Sequence, residues 1–383
     1  MLTPSQIETA VSRSIITASQ QRALLLLARE NDEPAAADEA PDEQLRLIGG
    51  GNDIFVTIGI LLFMAGGSFA LTPLFGGNQN LIVAIAAAVI WAIAEIVTRQ
   101  KRMRLSSTLL AVLFMACSAY FVWLGASTQI DLSALEANPF AVFSLRGAAG
   151  WVSLAGTGAF VAIAAAYFWR FSVPVLAAFV ALALTGFAFL QAGLFLYDGV
   201  IDGSVQVPSS EQIPSVVRNA LYMPLLCGLI VFAIAVALDL HDRERRTVWS
   251  DCAFWLHVVS APMLVHPLFV MATGQNVGGA DIAAGSDAVI GLIVLIAVFT
   301  YVALAIDRRS LLVPTLGYFG TLGVQNLLAD TATNAGIPPV ALVLISVGAL
   351  VIMFGAGWQR IRHVVIGTTL PAALLKRLPP INA

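Results

Sequence analysis

The stretch Val248–Ala272 reads VWSDCAFWLHVVSAPMLVHPLFVMA. It is apolar throughout and long enough to cross the roughly 30 Å of a bilayer's hydrocarbon core as a helix. Yet it carries Asp251, Cys252, His257 and His266, and so holds two of the chain's four histidines. Ionisable groups inside a membrane helix are costly, and they mark partners or pathways. Pro262 and Pro267 leave the carbonyls of Val258 and Met263 without their helical partners, so bends are expected there.

Composition decides that this stretch is a membrane span and not a buried core helix. The chain has 383 residues, of which 58% are hydrophobic and only 11% charged, and its mean hydropathy is +0.86. A soluble domain carries about 25% charged residues. Ten apolar segments follow one another at about 54–75, 81–98, 105–127, 147–168, 172–197, 216–238, 252–272, 287–306, 310–329 and 337–357. The alternation of barrel strands is absent, and a spanning segment must satisfy its own backbone, so these are helices. The expected fold is all-α: a polytopic bundle over 54–357, with a tail over 358–383.

Basic residues orient the bundle. With the N-terminus in the cytoplasm, 18 of the 20 lysines and arginines fall on the inner face, and only Arg146 and Arg218 fall outside. Both termini are then cytoplasmic. Trp123, Trp151, Tyr197 and Tyr222 lie near outer ends and Trp169, Trp249 and Trp358 near inner ends, where aromatic rings anchor at the interface. No loop is large enough for a soluble domain. The net charge of −3 gives no basis for binding nucleic acid.

Before the first span, residues 1–30 read as a small helical hairpin. Thr3-Pro4 suits a helix start, and Thr17-Ala-Ser-Gln20 has capping-box spacing. Residues 31–53 form a linker, acidic over 31–44 and ending in Gly49-Gly-Gly-Asn-Asp53, which reads as a flexible turn at the membrane face. The bilayer is the expected partner of the bundle, and a protein partner is expected for the hairpin.

Other polar groups fall near span ends. Glu95 precedes Arg99 by four residues and suits an interfacial pair. Asp239, Asp242 and Glu244 lie among His241, Arg243, Arg245 and Arg246 and read as a solvated loop. Asp307-Arg308-Arg309 reads as a turn. Arg170-Phe-Ser-Val-Pro174 and Arg309-Ser-Leu-Leu-Val-Pro314 share a pattern in which serine caps the next helix. Gln325, Asn326 and Asp330 approach the outer end of the ninth span.

At 100° per residue, Asp251, Trp255, Val259, Pro262 and His266 share one stripe, while His257 faces the opposite way. The two histidines therefore serve different neighbours and cannot form a metal pair by themselves, since such pairs sit at i,i+4. Asp251, Trp255, His257, His266, Gln325 and Asn326 are the candidate cavity-lining residues, with plain packing as the alternative. No catalytic motif, cofactor motif or metal spacing is present, and Cys117, Cys227 and Cys252 read as small packing residues.

Three segments carry a resemblance: Leu47-Ile-Gly-Gly-Gly-Asn-Asp-Ile-Phe-Val-Thr57, Phe254-Trp-Leu-His through His266-Pro267, and Ala305-Ile-Asp-Arg-Arg-Ser-Leu-Leu-Val-Pro through Tyr318. Together they resemble a family of bacterial polytopic inner-membrane proteins, of unknown function, with a short N-terminal helical domain. The resemblance implies a bacterial inner-membrane location and brings no activity with it. From the residues, the expected function is passage or binding of a small or lipid-like solute, without a carboxylate near the bilayer centre. The alternatives are a scaffold, assembly factor or sensor that uses the hairpin, and an intramembrane transferase.

Overall fold

A computed structural model describes residues 17, 19–20, 51–129, 146–206, 213–242, 245, 247–273, 286–312, 317, 339–371, 375 and 378. Contacts divide the chain into two units, Met1–Asp42 with Asn382 and Glu43–Ile381 with Ala383. In the first unit, the Thr17 amide donates to Gln20 Oε1 at 2.8 Å and the Gln20 amide donates to Thr17 Oγ1 at 3.3 Å. These are the reciprocal bonds of a capping box. The rest of the hairpin, the acidic linker, most of the ninth segment, Gln325 and Asn326 lie outside the described residues.

The second unit is helical, with no strand among the described residues. Its helices are α1 (Gly51–Leu74), α2 (Gln79–Ala94), α3 (Arg104–Ser127), α4 (Arg146–Phe171), α5 (Leu176–Ile201), α6 (Ile213–Ala220), α7 (Tyr222–His241), α8 (Val248–Thr273), α9 (Ser286–Ile306) and α10 (Pro339–Thr369). A π-helical turn, Glu95–Gln100, extends α2, and a 3-10 turn, Arg309–Leu311, follows α9. Among the described residues, seven helices are long and apolar enough to cross a membrane, and they coincide with the first seven predicted segments. The chain is thus built as a multi-pass membrane protein. Helix α8 continues through Pro262 and Pro267 without a break.

Neighbours in sequence pack as neighbours in space. Helix α3 contacts α1, α2 and α4, α4 contacts α5, and α8 contacts α5, α7 and α9. The first half closes around Trp91, Phe114, Tyr167 and Phe171, whose ring contacts lie 4.6–5.6 Å apart. Such edge and tilted contacts add to simple burial. Helices α7 and α8 pack tightly at Gly228, where a Cβ would lie 2.9 Å from Met263 Cβ. The second half closes around Ala303, Leu304, Leu311, Trp358 and Ile366. Helix α10 therefore does not stop at residue 357. It runs to Thr369, and one face of the predicted tail is buried.

The turns at one end of the bundle share a device. Arg102, Ser172, Arg245 and Asp307 all take positive φ, between 52° and 56°. This end carries most of the described arginines and is called the basic end below. Ser172 does not cap the helix that follows it, and residues 313–316, just after Leu312, lie outside the described residues. Helix α5 starts from Val175 with no side-chain cap, and Ser310 Oγ is buried without a hydrogen-bond partner.

Candidate functional site

The site is built from the last turn of α7, the first half of α8 and the turn after α9. Asp239 and His257 project from adjacent helices, and His257 lies about 14 Å along α8 from Val248 at 1.5 Å per residue. His257 is 0% exposed. Its Nε2 lies 2.9 Å from Asp239 Oδ2. A carboxylate only accepts, so Nε2 carries the proton and donates. Arg308 Nε donates to the same Oδ2 at 3.0 Å, and its Nη2 reaches Oδ1. The Arg308 Nη2 group also donates to the Ser250 carbonyl at 3.1 Å and to Ser250 Oγ at 3.0 Å. A fork–fork arginine–carboxylate pair of this kind holds both planes fixed.

The turn after α9 explains why Arg308 points inward. The Arg308 amide donates to the Ala303 carbonyl at 2.9 Å and the Asp307 amide to the Leu304 carbonyl at 3.3 Å. With Asp307 at positive φ, this is a Schellman closure using aspartate where glycine is usual. The closure turns two consecutive charged side chains into the bundle.

Asp307 anchors a second set of contacts. Its carboxylate accepts from Trp358 Nε1 at 2.7 Å and pairs with Arg245 Nη1 at 3.1 Å, and Arg362 Nε lies 3.8 Å away. Arg362 Nε also donates to the Leu304 carbonyl at 2.9 Å, and Arg245 Nη2 to the Asp307 carbonyl at 2.8 Å. Two guanidiniums thus satisfy carbonyls at the end of α9, where the helix dipole is negative. Asp242 accepts from the Thr247 amide at 2.8 Å and from Thr247 Oγ1 at 2.6 Å, which fixes the entry to α8. Leaving either charge of a buried pair without its partner costs several kcal/mol, so these links fix how α7, α8, α9 and α10 meet.

These contacts correct four expectations. Asp239 and Asp242 are buried helix-end residues, not part of a solvated loop. Asp307 and Arg308 are 5% and 3% exposed, so their turn is an internal junction. Trp358 is 1% exposed and bonded to Asp307, so it is no interfacial anchor, whereas Trp123, Trp151, Trp169 and Trp249 are exposed. Asp53, assigned to a flexible turn, is a buried residue of α1. It accepts from the Leu105 amide at 2.9 Å, the Ser106 amide at 3.0 Å and Ser106 Oγ at 2.6 Å, and so caps α3 from a neighbouring helix.

Of the sequence candidates that are described, His257 belongs to this network through Asp239. Asp251 is exposed, Trp255 and His266 are half-buried, and Val259 on the same stripe is buried. His257 Nδ1 is buried and has no hydrogen-bond partner among the described residues. It is an imidazole acceptor held in place by the bond that its other nitrogen makes to Asp239. The Phe232 ring stands edge-on at 5.3 Å. Asp239 had one legible signal, a single charge between apolar residues in Val-Ala-Leu-Asp-Leu, whereas Arg308 lies within the charged run Asp307-Arg-Arg309 and had none.

Among the described residues, no three His, Cys, Asp or Glu side chains gather as a metal site. Compared with protein families, with curated proteins and with solved structures, the chain finds no match.

Proposed function

We propose that this multi-pass protein lies in a bacterial inner membrane with ten spans and both termini in the cytoplasm, and that it binds or passes a small polar solute through its second half. One observation supports solute handling above all: the buried, unpartnered Nδ1 of His257, oriented by Asp239 and backed by Arg308. Buried polar groups normally find partners, and ionisable groups among spanning helices mark pathways. The passage proposed is not coupled to protons or sodium, which would call for a free carboxylate near the bilayer centre. Asp239 lies in the last turn of α7, toward the basic end, and is neutralised by Arg308. A neutral solute bearing an N–H or O–H donor fits Nδ1 best.

Swelling of proteoliposomes that hold the full chain, in gradients of urea, glycerol and erythritol, tests this reading. Permeability above that of protein-free liposomes for at least one solute is the expected result. Equality for all three would overturn it.

A second reading has its own observation. The reciprocal Thr17–Gln20 bonds give the N-terminal unit a defined helix start, which suits a partner-binding hairpin on an otherwise inert membrane scaffold. In that case the ion pairs only brace the bundle, and the liposomes stay impermeable.

A further inference from the structure

The two halves of the bundle use their basic residues differently. In the second half, Arg245, Arg308 and Arg362 turn inward and pair with Asp239 and Asp307. In the first half the cations face outward. The π-helical turn Glu95–Gln100 and the turn after it present Arg99, Lys101 and Arg102, and α3 begins with Arg104. All four are exposed. Arg170 joins them from the end of α4, because its Nη2 meets Glu95 Oε2 at 2.7 Å. Arg99 Nη1 lies 3.6 Å from the same oxygen. One carboxylate oxygen thus draws two guanidiniums from two helices together, and both remain partly open to solvent. Among the described residues, no carboxylate pairs with Lys101, Arg102 or Arg104. Five cations against Glu95 and the buried Asp53 at the start of α3 leave an excess of three positive charges on this patch.

The patch sits where spanning helices end. Ile96 is exposed beside Glu95, and Trp169, next to Arg170, is 87% exposed. An exposed indole and an exposed aliphatic side chain beside clustered guanidiniums match the headgroup–acyl boundary. Clusters of four or more basic residues next to a spanning helix attract anionic lipid.

From this we infer that the α2–α3 turn, with Arg170, binds the phosphate headgroup of an anionic phospholipid, with Glu95 holding Arg99 and Arg170 as the two arms that receive it. The inference rests on the helices crossing a membrane and is independent of solute passage. Charge and placement both favour lipid over a free anion, because the acyl side of the site is already apolar.

The test uses the full chain, purified in detergent and offered equal amounts of phosphatidylglycerol and phosphatidylcholine, with retained lipid read by native mass spectrometry. Wild type is expected to retain phosphatidylglycerol preferentially. The variant Arg99→Gln/Lys101→Gln/Arg102→Gln/Arg104→Gln should lose that preference, with about fivefold weaker retention for each charge removed. Arg146→Gln/Arg218→Gln, away from the patch, should keep it. Should the fourfold variant not fold, the wild-type preference is measured in 50 and 500 mM salt, where the account requires a steep decline. Competition by inorganic phosphate as strong as that by phosphatidylglycerol would show a free-anion site and overturn the lipid assignment. Equal retention of the two lipids by wild type, or a preference that survives neutralisation or high salt, would overturn it as well.

Discussion

Arg308 closes on Asp239 within the bundle, with Nε 3.0 Å from Oδ2 and Nη2 on Oδ1, although 69 residues separate them in sequence. The pair ties the turn after α9 to the last turn of α7, and His257 of α8 shares the same carboxylate. Removing one partner leaves the other as an uncompensated buried charge. Asp239→Asn and Arg308→Gln are each expected to destabilise the protein by about 3–5 kcal/mol. The double variant should lose clearly less than the sum of the two. Thermal unfolding in detergent checks this, and additive losses would mean that the pair is not coupled.

Asp53 fastens α1 to the start of α3, which has no cap of its own. Asp53→Ala should cost about 1–2 kcal/mol, in the range of a lost N-cap. Asp53→Asn keeps an acceptor oxygen and should recover part of that loss. Limited proteolysis at the α2–α3 turn reads the difference, and equal cleavage of the two variants would argue against the cap.

Trp358 lies in the interior with its Nε1 on Asp307, while Trp123, Trp151 and Trp169 lie on the surface. A chain retaining Trp358 as its only tryptophan should resist quenching by acrylamide, and one retaining only Trp169 should not. Trp358→Phe should destabilise by about 1–3 kcal/mol, because Asp307 loses a donor in a buried setting. Easy quenching of Trp358 would place it outside the bundle.

The proposed topology has a direct check. Reporter fusions after residue 30 and after residue 383 should both read cytoplasmic. An external C-terminus would contradict ten spans.

Much of the fold was legible in the sequence, because bilayer thickness sets segment length and apolar composition then locates the helices. The first seven segments coincide with the seven helices that qualify as spans. The burial of His257 inside an apolar helix was expected of one of the candidate residues, but its partners were not. What escaped was the pairing. Asp239, Asp307 and Arg308 sit at helix ends, where charged residues normally meet water, so their local context suggested solvent. Only the packing shows that these charges are enclosed: Trp358 and Arg362 of α10 cover Asp307, and Asp239 and Arg308 close on each other against His257 and Ser250 of α8. Asp53 was missed for a related reason. The glycines before it suggested a loop, whereas its partner is the backbone of a helix more than fifty residues away.

His257 Nδ1 is proposed to meet a solute, and permeability measured on two histidine variants tests that contact. His257→Gln keeps a donor for Asp239 but removes the imidazole acceptor, while His266→Gln alters the opposite face of α8. In proteoliposomes matched for folded protein, the account predicts that His257→Gln slows solute-driven swelling several-fold and that His266→Gln leaves it near wild type. Unchanged swelling in His257→Gln, or an equal fall in both variants, would contradict it.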